Sequence, residues 1–287
     1  MSQFVYYIFL RPVSLLPLWV LHPIARVLNF IIYSIMGYRK EVVQANIRNS
    51  FPDKTATERK KIEKAFYSHF ADLMVESIKN FSISKKSALE RCVVVNPEVL
   101  DNLYDKGKNV IMVAGHYSNW EIATVGLNPQ FKHRIGGVYA PLQNKFFDKK
   151  FSESRSKYGL LLVEKDDAGN FFNTEPKELT AMILMSDQSP TFVKENTYWT
   201  TFMNQETPML FGAEKYAVQN DWPVVFTAVS KVKRGYYEVR LTLLEENPKR
   251  SEKYTITEKH VRALEEQIRE KPEFYLWTHN RWKHKRK

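Results

Sequence analysis

Cysteine is nearly absent from this chain: Cys92 is the only one. No intrachain disulfide can form, and no cysteine-rich zinc site can be assembled. A glycine-rich phosphate loop is also missing, as are internal repeats and low-complexity tracts, so P-loop nucleotide chemistry and solenoid architectures have no support. Charge is scarce at the start, where only Arg11 and Arg26 carry a fixed charge between Met1 and Tyr38. Over all 287 residues the balance is instead +11. That excess predicts acidic company: phospholipid headgroups, an acidic carrier protein, a phosphorylated substrate or nucleic acid.

What fills the charge-poor start is apolar. Phe4 to Leu10, Val13 to Leu21 and Val27 to Met36 are strongly hydrophobic runs, punctuated by Pro12, Pro17 and Pro23. Each run alone is shorter than the roughly 20 residues a spanning helix needs. The pattern predicts one or two helices embedded in, or just crossing, a membrane, with Trp19, Tyr33 and Tyr38 near the headgroups. Arg39 and Lys40 follow at once and favour a cytoplasmic location for what comes next. No basic start precedes the first run, so a cleavable signal peptide is not expected. A helical hairpin packed against the main domain is the alternative. The chain thus divides into a membrane-associated helical anchor over 1–40 and an α/β domain over 41–287.

Downstream, periodicity changes character. Tyr38 to Ser50 reads as a helix, and Thr55 or Thr57 can cap another whose apolar positions Ile62, Phe66, Phe70, Leu73 and Met74 fall at helical spacing. His69 beside that stripe reads as a core or boundary histidine. Strands are expected near Cys92 to Val95, Val110 to Ala114, Ile135 to Ala140, Leu160 to Val163, Ala181 to Ser186, Pro223 to Val229 and Tyr236 to Leu244, with helices at Lys145 to Tyr158 and Met209 to Asn220. This order predicts an α/β fold with a mainly parallel central sheet flanked by helices. Catalytic groups in such sheets gather beyond the carboxyl ends of the strands.

One stretch runs from strand straight into polar chemistry. After the apolar run Val110 to Ala114, Gly115 breaks the strand and His116 follows on the turn. Ser118 with Glu121 has capping-box spacing, so a helix is expected to begin there. A histidine on the preceding turn can fold back toward Glu121, and a carboxylate on one ring nitrogen leaves the other free as a base. A single His after a strand is also common as a structural group, and Glu121 is then only a capping partner. Asp187 follows its strand as His116 follows its own, so both are expected at one crevice. On the helix from Lys145, Phe147, Phe151, Arg155 and Tyr158 step along one face. Arg155 there needs an anion, for which Asp187, Glu121 and a substrate phosphate are candidates, unless it snorkels to water.

These segments together resemble the lysophospholipid acyltransferase superfamily in its lipid A late (lauroyl/myristoyl) acyltransferase branch. His116 to Glu121 is similar to the His-x4-Asp/Glu box, and Asn46-Ile-Arg-Asn-Ser-Phe-Pro-Asp53 to the segment that precedes it. Gly137-Val-Tyr-Ala-Pro-Leu-Gln-Asn144, Phe151-Ser-Glu-Ser-Arg155 with Gly159, and Ser186-Asp-Gln-Ser-Pro190 resemble successive later blocks. Thr201-Phe-Met-Asn-Gln-Glu-Thr-Pro208 stands where a further block belongs but departs from the Phe-Phe-Gly form. Pro272-Glu-Phe-Tyr-Leu-Trp-Thr-His-Asn-Arg-Trp-Lys283 is close to the terminal signature.

The resemblance implies transfer of a fatty acyl chain from acyl carrier protein to a hydroxyl of a lipid A precursor, at the cytoplasmic face of the bacterial inner membrane. It implies His116 as general base and Glu121 as the carboxylate that orients the imidazole and stabilises its protonated form. Gly115, Asn119, Arg155, Asp187 and Gln188 are supporting or substrate-contacting candidates. Backbone N–H groups around Gly115 or the helix start are candidates for the oxyanion. No metal and no cofactor beyond the acyl thioester, on carrier protein or coenzyme A, is expected. The expected partners are acyl carrier protein, anionic membrane lipid and a lipid acceptor. Acceptors of lysophospholipid, aminolipid or glycolipid type are alternatives within the same chemistry. The tail Arg281-Trp-Lys-His-Lys-Arg-Lys287 has five Lys/Arg and no acid, which suits an anionic membrane or a carrier protein. A non-enzymatic membrane or nucleic-acid binding protein is the rival from another class, but the apolar anchor has no purpose in nucleic-acid binding.

Overall fold

The computed structural model describes residues 1–194 and 197–286. The chain begins as two helical rods. Ser2–Val5, a π-helical stretch Tyr6–Leu10 and Arg11–Leu15 run on as one, and extended backbone at Leu16 and Pro17 ends it. Leu18–Phe30 then continues into a π-helical Ile31–Ile35. Residues Leu18–Ile35 are long and apolar enough to cross a membrane, with mean hydropathy 1.5 and only 22% of the stretch buried. One face of this rod, through Leu18, Leu21 and Ala25, packs on Ala71 and Val75 of the helix Ala56–Lys79. The remaining face leaves Trp19, Val27, Phe30 and Ile35 exposed. The apolar start is therefore docked on the domain along one side and bare along the other.

The helix Ala56–Lys79 owes its start to a reciprocal cap: Glu58 N donates to Thr55 Oγ1 at 3.2 Å, and Thr55 N donates to Glu58 Oε2 at 2.7 Å. Ile62, Phe66 and Leu73 turn inward as their spacing predicts, whereas Met74 lies on the exposed side. Its partner in chain order, Lys40–Ser50, ends at the expected place.

Seven strands form the main sheet: β1 (Cys92–Val94), β2 (Val110–Ala114), β3 (Arg134–Tyr139), β4 (Leu161–Glu164), β5 (Thr180–Met185), β8 (Val224–Lys233) and β9 (Tyr236–Glu245), with β6 (Trp199–Phe202) and β7 (Gln205–Pro208) in a separate pair. Their order is β1-β9-β8-β2-β5-β3-β4. Every pairing is parallel except β8 with β9, which are joined by a tight turn with Gly235 at φ +76°. The fold is thus α/β, as the alternation predicts.

β2 is buried from end to end, and its residues alternate between two cores. Ile111 and Val113 meet Val261, Leu264 and Ile268 of the helix Thr255–Glu270, while Val110 and Met112 meet Leu100, Leu103, Ile122 and Val125 on the other face. Each such side chain contributes about 1.5–3 kcal/mol when fully buried. A strand held on both faces gives the residues just beyond it a rigid base.

The β6–β7 hairpin has no counterpart among the expected strands. Its turn, Met203-Asn204, has positive φ at both residues (50° and 62°), the geometry a two-residue hairpin requires. Tertiary bonds hold it there: Asn204 Nδ2 donates to Ser50 O at 2.9 Å, and the Met203 amide donates to Glu265.

Candidate active site

The site is built by two neighbouring parallel strands. β2 and β5 pair with Ala114 opposite Met185, so His116 and Asp187 each stand two residues beyond the last matched pair. They meet: His116 Nδ1 lies 2.7 Å from Asp187 Oδ1, and the His116 backbone N–H donates to Asp187 Oδ2 at 3.0 Å. Both carboxylate oxygens thereby accept from His116, and the Tyr275 hydroxyl also meets this carboxylate. With Nδ1–H donating to Asp187, Nε2 carries the lone pair. The Gln188 side-chain amide nitrogen lies 3.3 Å from that Nε2, and the Trp120 ring stands edge-on to the imidazole at 5.2 Å. The His116 side chain is 18% exposed and that of Asp187 2%, so the pair opens to solvent on the imidazole side.

The electrostatics follow from that contact. Burial alone would push the His116 pKa down, but the Asp187 carboxylate, its hydrogen bond and the charge of Glu121 beyond it more than offset burial and raise it above the ordinary value. Burial likewise pushes the Asp187 acid up, and the imidazole with its hydrogen bonds reverses this, holding it down at about 2. Two other buried histidines show what happens without such a partner. Burial drives His69 and His260 down to about 4, and His69 is a core histidine edge-on to Phe274.

Glu121 is not on the imidazole. It lies in the first turn of the helix Trp120–Gly126, and its carboxylate is gripped by the Arg155 fork, Nη2 to Oε1 at 2.7 Å and Nε to Oε2 at 3.2 Å. The expected orienting contact from Glu121 to His116 is therefore made by Asp187 instead. Arg155 chooses Glu121 from its candidate anions, and does so from the helix Lys145–Ser156.

The expected capping box is also absent. Ser118 sits at φ +57°, its amide donates to Phe274 O at 2.8 Å, and its buried hydroxyl has no partner. The cap is Asn119, whose Oδ1 accepts from Ile122 N at 3.0 Å while its Nδ2 donates to Glu76 Oε2 at 2.7 Å. Asn119 is fully buried, so it supports the turn and does not face substrate. Gly115 has a packing role: a Cβ there would meet Leu264 Cδ1 at 2.6 Å. The amides following it are taken, with His116 N on Asp187, Tyr117 N on Gly115 O and Ser118 N on Phe274 O. Those three cannot serve the oxyanion without giving up these bonds.

A set of residues without an assigned role in the sequence closes the site from behind. Tyr117 and Tyr275 form an antiparallel bridge, and Leu276 N donates to His116 O at 3.1 Å. Ser189 N donates to His279 Nε2 at 3.1 Å. Arg281, 1% exposed, donates to Pro208 O at 2.8 Å and lends its charge to Asp187. The terminal segment reads in the sequence as a motif, Pro272 to Lys283, and the fold shows that it straps the turns that carry His116 and Asp187. Among the described residues, no group of three or more His, Cys, Asp or Glu side chains is arranged to hold a metal ion.

Comparison with known proteins agrees with the resemblance at family level. No curated protein is similar enough to match the chain. The model of the family described as bacterial lipid A biosynthesis acyltransferase matches residues 1–284. With almost its entire length in that match, the chain belongs to the bacterial lipid A biosynthesis acyltransferase family.

Proposed function

We propose that the protein moves a fatty acyl group from an acyl thioester, carried on acyl carrier protein, to a hydroxyl of a lipid A precursor, as the late lauroyl/myristoyl branch does. In this reading residues 1–40 anchor the chain in the bacterial inner membrane and residues 41–287 act on its cytoplasmic side. The observation that carries the reaction is the His116–Asp187 pair, 2.7 Å apart at the ends of two parallel strands, with the far nitrogen of His116 uncommitted except to a side-chain amide.

His116 Nε2 takes the proton of the acceptor hydroxyl as its oxygen attacks the thioester carbonyl. The tetrahedral intermediate collapses with cleavage of the C–S bond. The departing thiolate takes the proton back from His116, leaving an ester and a free thiol. Asp187 fixes the tautomer and stabilises the imidazolium. The Gln188 amide, displaced from Nε2 by the acceptor, is a donor available to the oxyanion. Glu121, bound to Arg155, adds negative charge behind the imidazole and ties two helices at the rim. The basic tail contacts the carrier or the membrane surface.

The test uses labelled acyl-carrier protein and labelled acyl-coenzyme A as donors, with a detergent-dispersed lipid A precursor and a lysophospholipid as acceptors. His116→Ala should lower transfer by about 10² to 10⁴, the range general-base catalysis contributes, while the variant remains folded at the assay temperature. Normal turnover in His116→Ala would sink the mechanism. Turnover on lysophospholipid alone would move the substrate assignment and leave the mechanism standing.

A further inference from the structure

A one-sided cluster of charge lies where the first apolar rod meets the domain. Arg11, Lys79 and Lys157 converge there on two short stretches of backbone. Arg11 Nη1 donates to Phe81 O at 3.2 Å. Lys157 Nζ donates to Ile83 O at 3.1 Å and to Asn80 O, and Lys79 Nζ donates to Ser14 O at 2.9 Å and Leu16 O at 3.0 Å. These acceptors are carbonyls at and just beyond the carboxyl ends of the helices Arg11–Leu15 and Ala56–Lys79. A helix end offers only about half a negative charge. Three full positive charges therefore face roughly one negative.

No carboxylate enters the balance. Lys79 is pushed down by burial, with Arg91 and Arg11 repelling its proton. Lys157 is pushed down to about 8 by burial, with Arg11 and Lys79 beside it. All three side chains are half-buried, so none is sealed from solvent. Arg11 carries the cluster onto the apolar rod itself, where Phe9 and Leu15 flank it and stand exposed, with Trp19 exposed on the next helix. An anion that fits here has an apolar surface waiting beside it.

We propose that Arg11, Lys79 and Lys157 form a binding site for the phosphate of a membrane lipid, whose chains lie along the exposed apolar face of the N-terminal helices. The phosphate supplies the negative charge that the helix ends leave short, and accepts from guanidinium N–H groups that Arg11 does not use on Phe81. Free inorganic phosphate presents the same group without the chains, so the apolar face separates the two sources. None of the three cations bonds to His116 or Asp187, although Asn80, which accepts from Lys157, also donates to Glu121 O at 3.0 Å.

The test follows the melting temperature of the full-length chain in a non-ionic maltoside, titrated in parallel with phosphatidylglycerol, diacylglycerol of the same chains, and inorganic phosphate. Phosphatidylglycerol should raise the melting temperature to a plateau, while the other two at equal concentration should not. Arg11→Gln should weaken the apparent affinity about fivefold, the effect of one surface cation on an anionic lipid. Lys157→Met should do the same. Arg11→Lys should change it little, and Lys106→Gln, remote in the sheet's helical layer, not at all. Lys157→Met also removes bonds to two carbonyls, so if it fails to fold, Arg11→Gln alone decides. An equal response to diacylglycerol would overturn the phosphate site. An equal response to inorganic phosphate would overturn the lipid assignment, and unchanged affinity in Arg11→Gln would overturn the cluster.

Discussion

Among the described residues two histidine–carboxylate pairs occur, and they differ in where they stand in the fold. His116 meets Asp187 at 2.7 Å beyond the ends of β2 and β5. His22, on the apolar rod, meets Glu76 of the helix Ala56–Lys79 at 3.2 Å. Glu76 is saturated: besides His22 it accepts from Asn119 at 2.7 Å and from the Tyr237 hydroxyl at 2.6 Å. The backbone of His22 is itself held by Arg234, which also grips Asp72. That pair bolts the anchor to the sheet. In the other, the carboxylate takes both bonds of one histidine and also meets the Tyr275 hydroxyl, while the far ring nitrogen faces the Gln188 amide. A histidine touching a carboxylate is therefore no sign of catalysis. What sets His116 apart is its place at adjoining strand ends.

The comparison breaks most sharply when each carboxylate is made neutral. Asp187→Asn should reduce acyl transfer by at least about 10², since the imidazole loses its orienting acceptor and its charge partner. Glu76→Gln should leave turnover near normal and cost about 1–3 kcal/mol of stability, the penalty of a damaged buried polar network. The pH profiles separate them further. Neutral His116 is required, and Asp187 raises its pKa, so activity should climb with pH through a value above about 6.5; in Asp187→Asn that limb should move to lower pH. Stability carries the matching signs. The depressed Asp187 acid contributes fully above its unfolded value near 3.9 and loses this as pH falls toward 2. The raised His116 contributes below its unfolded value of about 6.5, and this is lost as pH rises through its folded value. The gap in melting temperature between wild type and Asp187→Asn should therefore be widest between about pH 4 and 6.5. A gap independent of pH would mean that the pair is held by packing alone.

A smaller effect is expected at the rim, where Arg155 and Glu121 form a half-buried ion pair. Arg155→Ala strips Glu121 of both its hydrogen bonds and should lose far more activity than Lys149→Ala on the exposed side of the same helix. Arg155→Lys should recover little, because one ammonium cannot span both oxygens. Equal and mild losses at the two positions, in steady-state transfer assays, would make the pair a surface contact.

The smallest difference lies within the turn. Asn119→Ala removes the helix cap and should cost about 1 kcal/mol, with a further cost from the bond to Glu76. Ser118→Ala should not lower stability, because it removes a buried hydroxyl that has no partner. Thermal unfolding of the two variants decides which residue caps the helix, and a reversed order would restore the capping box.

How far the sequence could be read follows from the range of the forces involved. The seven strands of the main sheet, the Thr55 cap and the strand-turn-helix around His116 are written in short-range pattern and emerge at their expected places, six of the strands within a residue and β8 running four residues past its expected end at Val229. The partner of His116 is not written locally. Glu121 lies five residues away in the chain, but Asp187 lies one strand away in the sheet, and only the pairing of Ala114 with Met185 brings it near. Asp187 was legible as a residue sharing the crevice, without the bond it makes. The Asn119 cap lost out to Ser118 because serine-to-glutamate spacing looks complete until Phe274 claims the Ser118 amide. The β6–β7 hairpin was hidden because its turn lacks glycine, and contacts from Ser50 and Glu265 impose positive φ on Met203 and Asn204.

The strap from Phe274 to Arg281 also sets an order of events during synthesis. The two strands that carry His116 and Asp187 emerge from the ribosome well before the residues that hold their turns, and the ribosomal tunnel still hides Tyr275, His279 and Arg281 when β2 and β5 are already outside. Until those last side chains arrive, Ser118 and His116 lack their backbone partners and Ser189 lacks its histidine. A nascent chain can therefore assemble its apolar start and most of its sheet while the turns that carry His116 and Asp187 stay loose, so the scaffold forms before the site does.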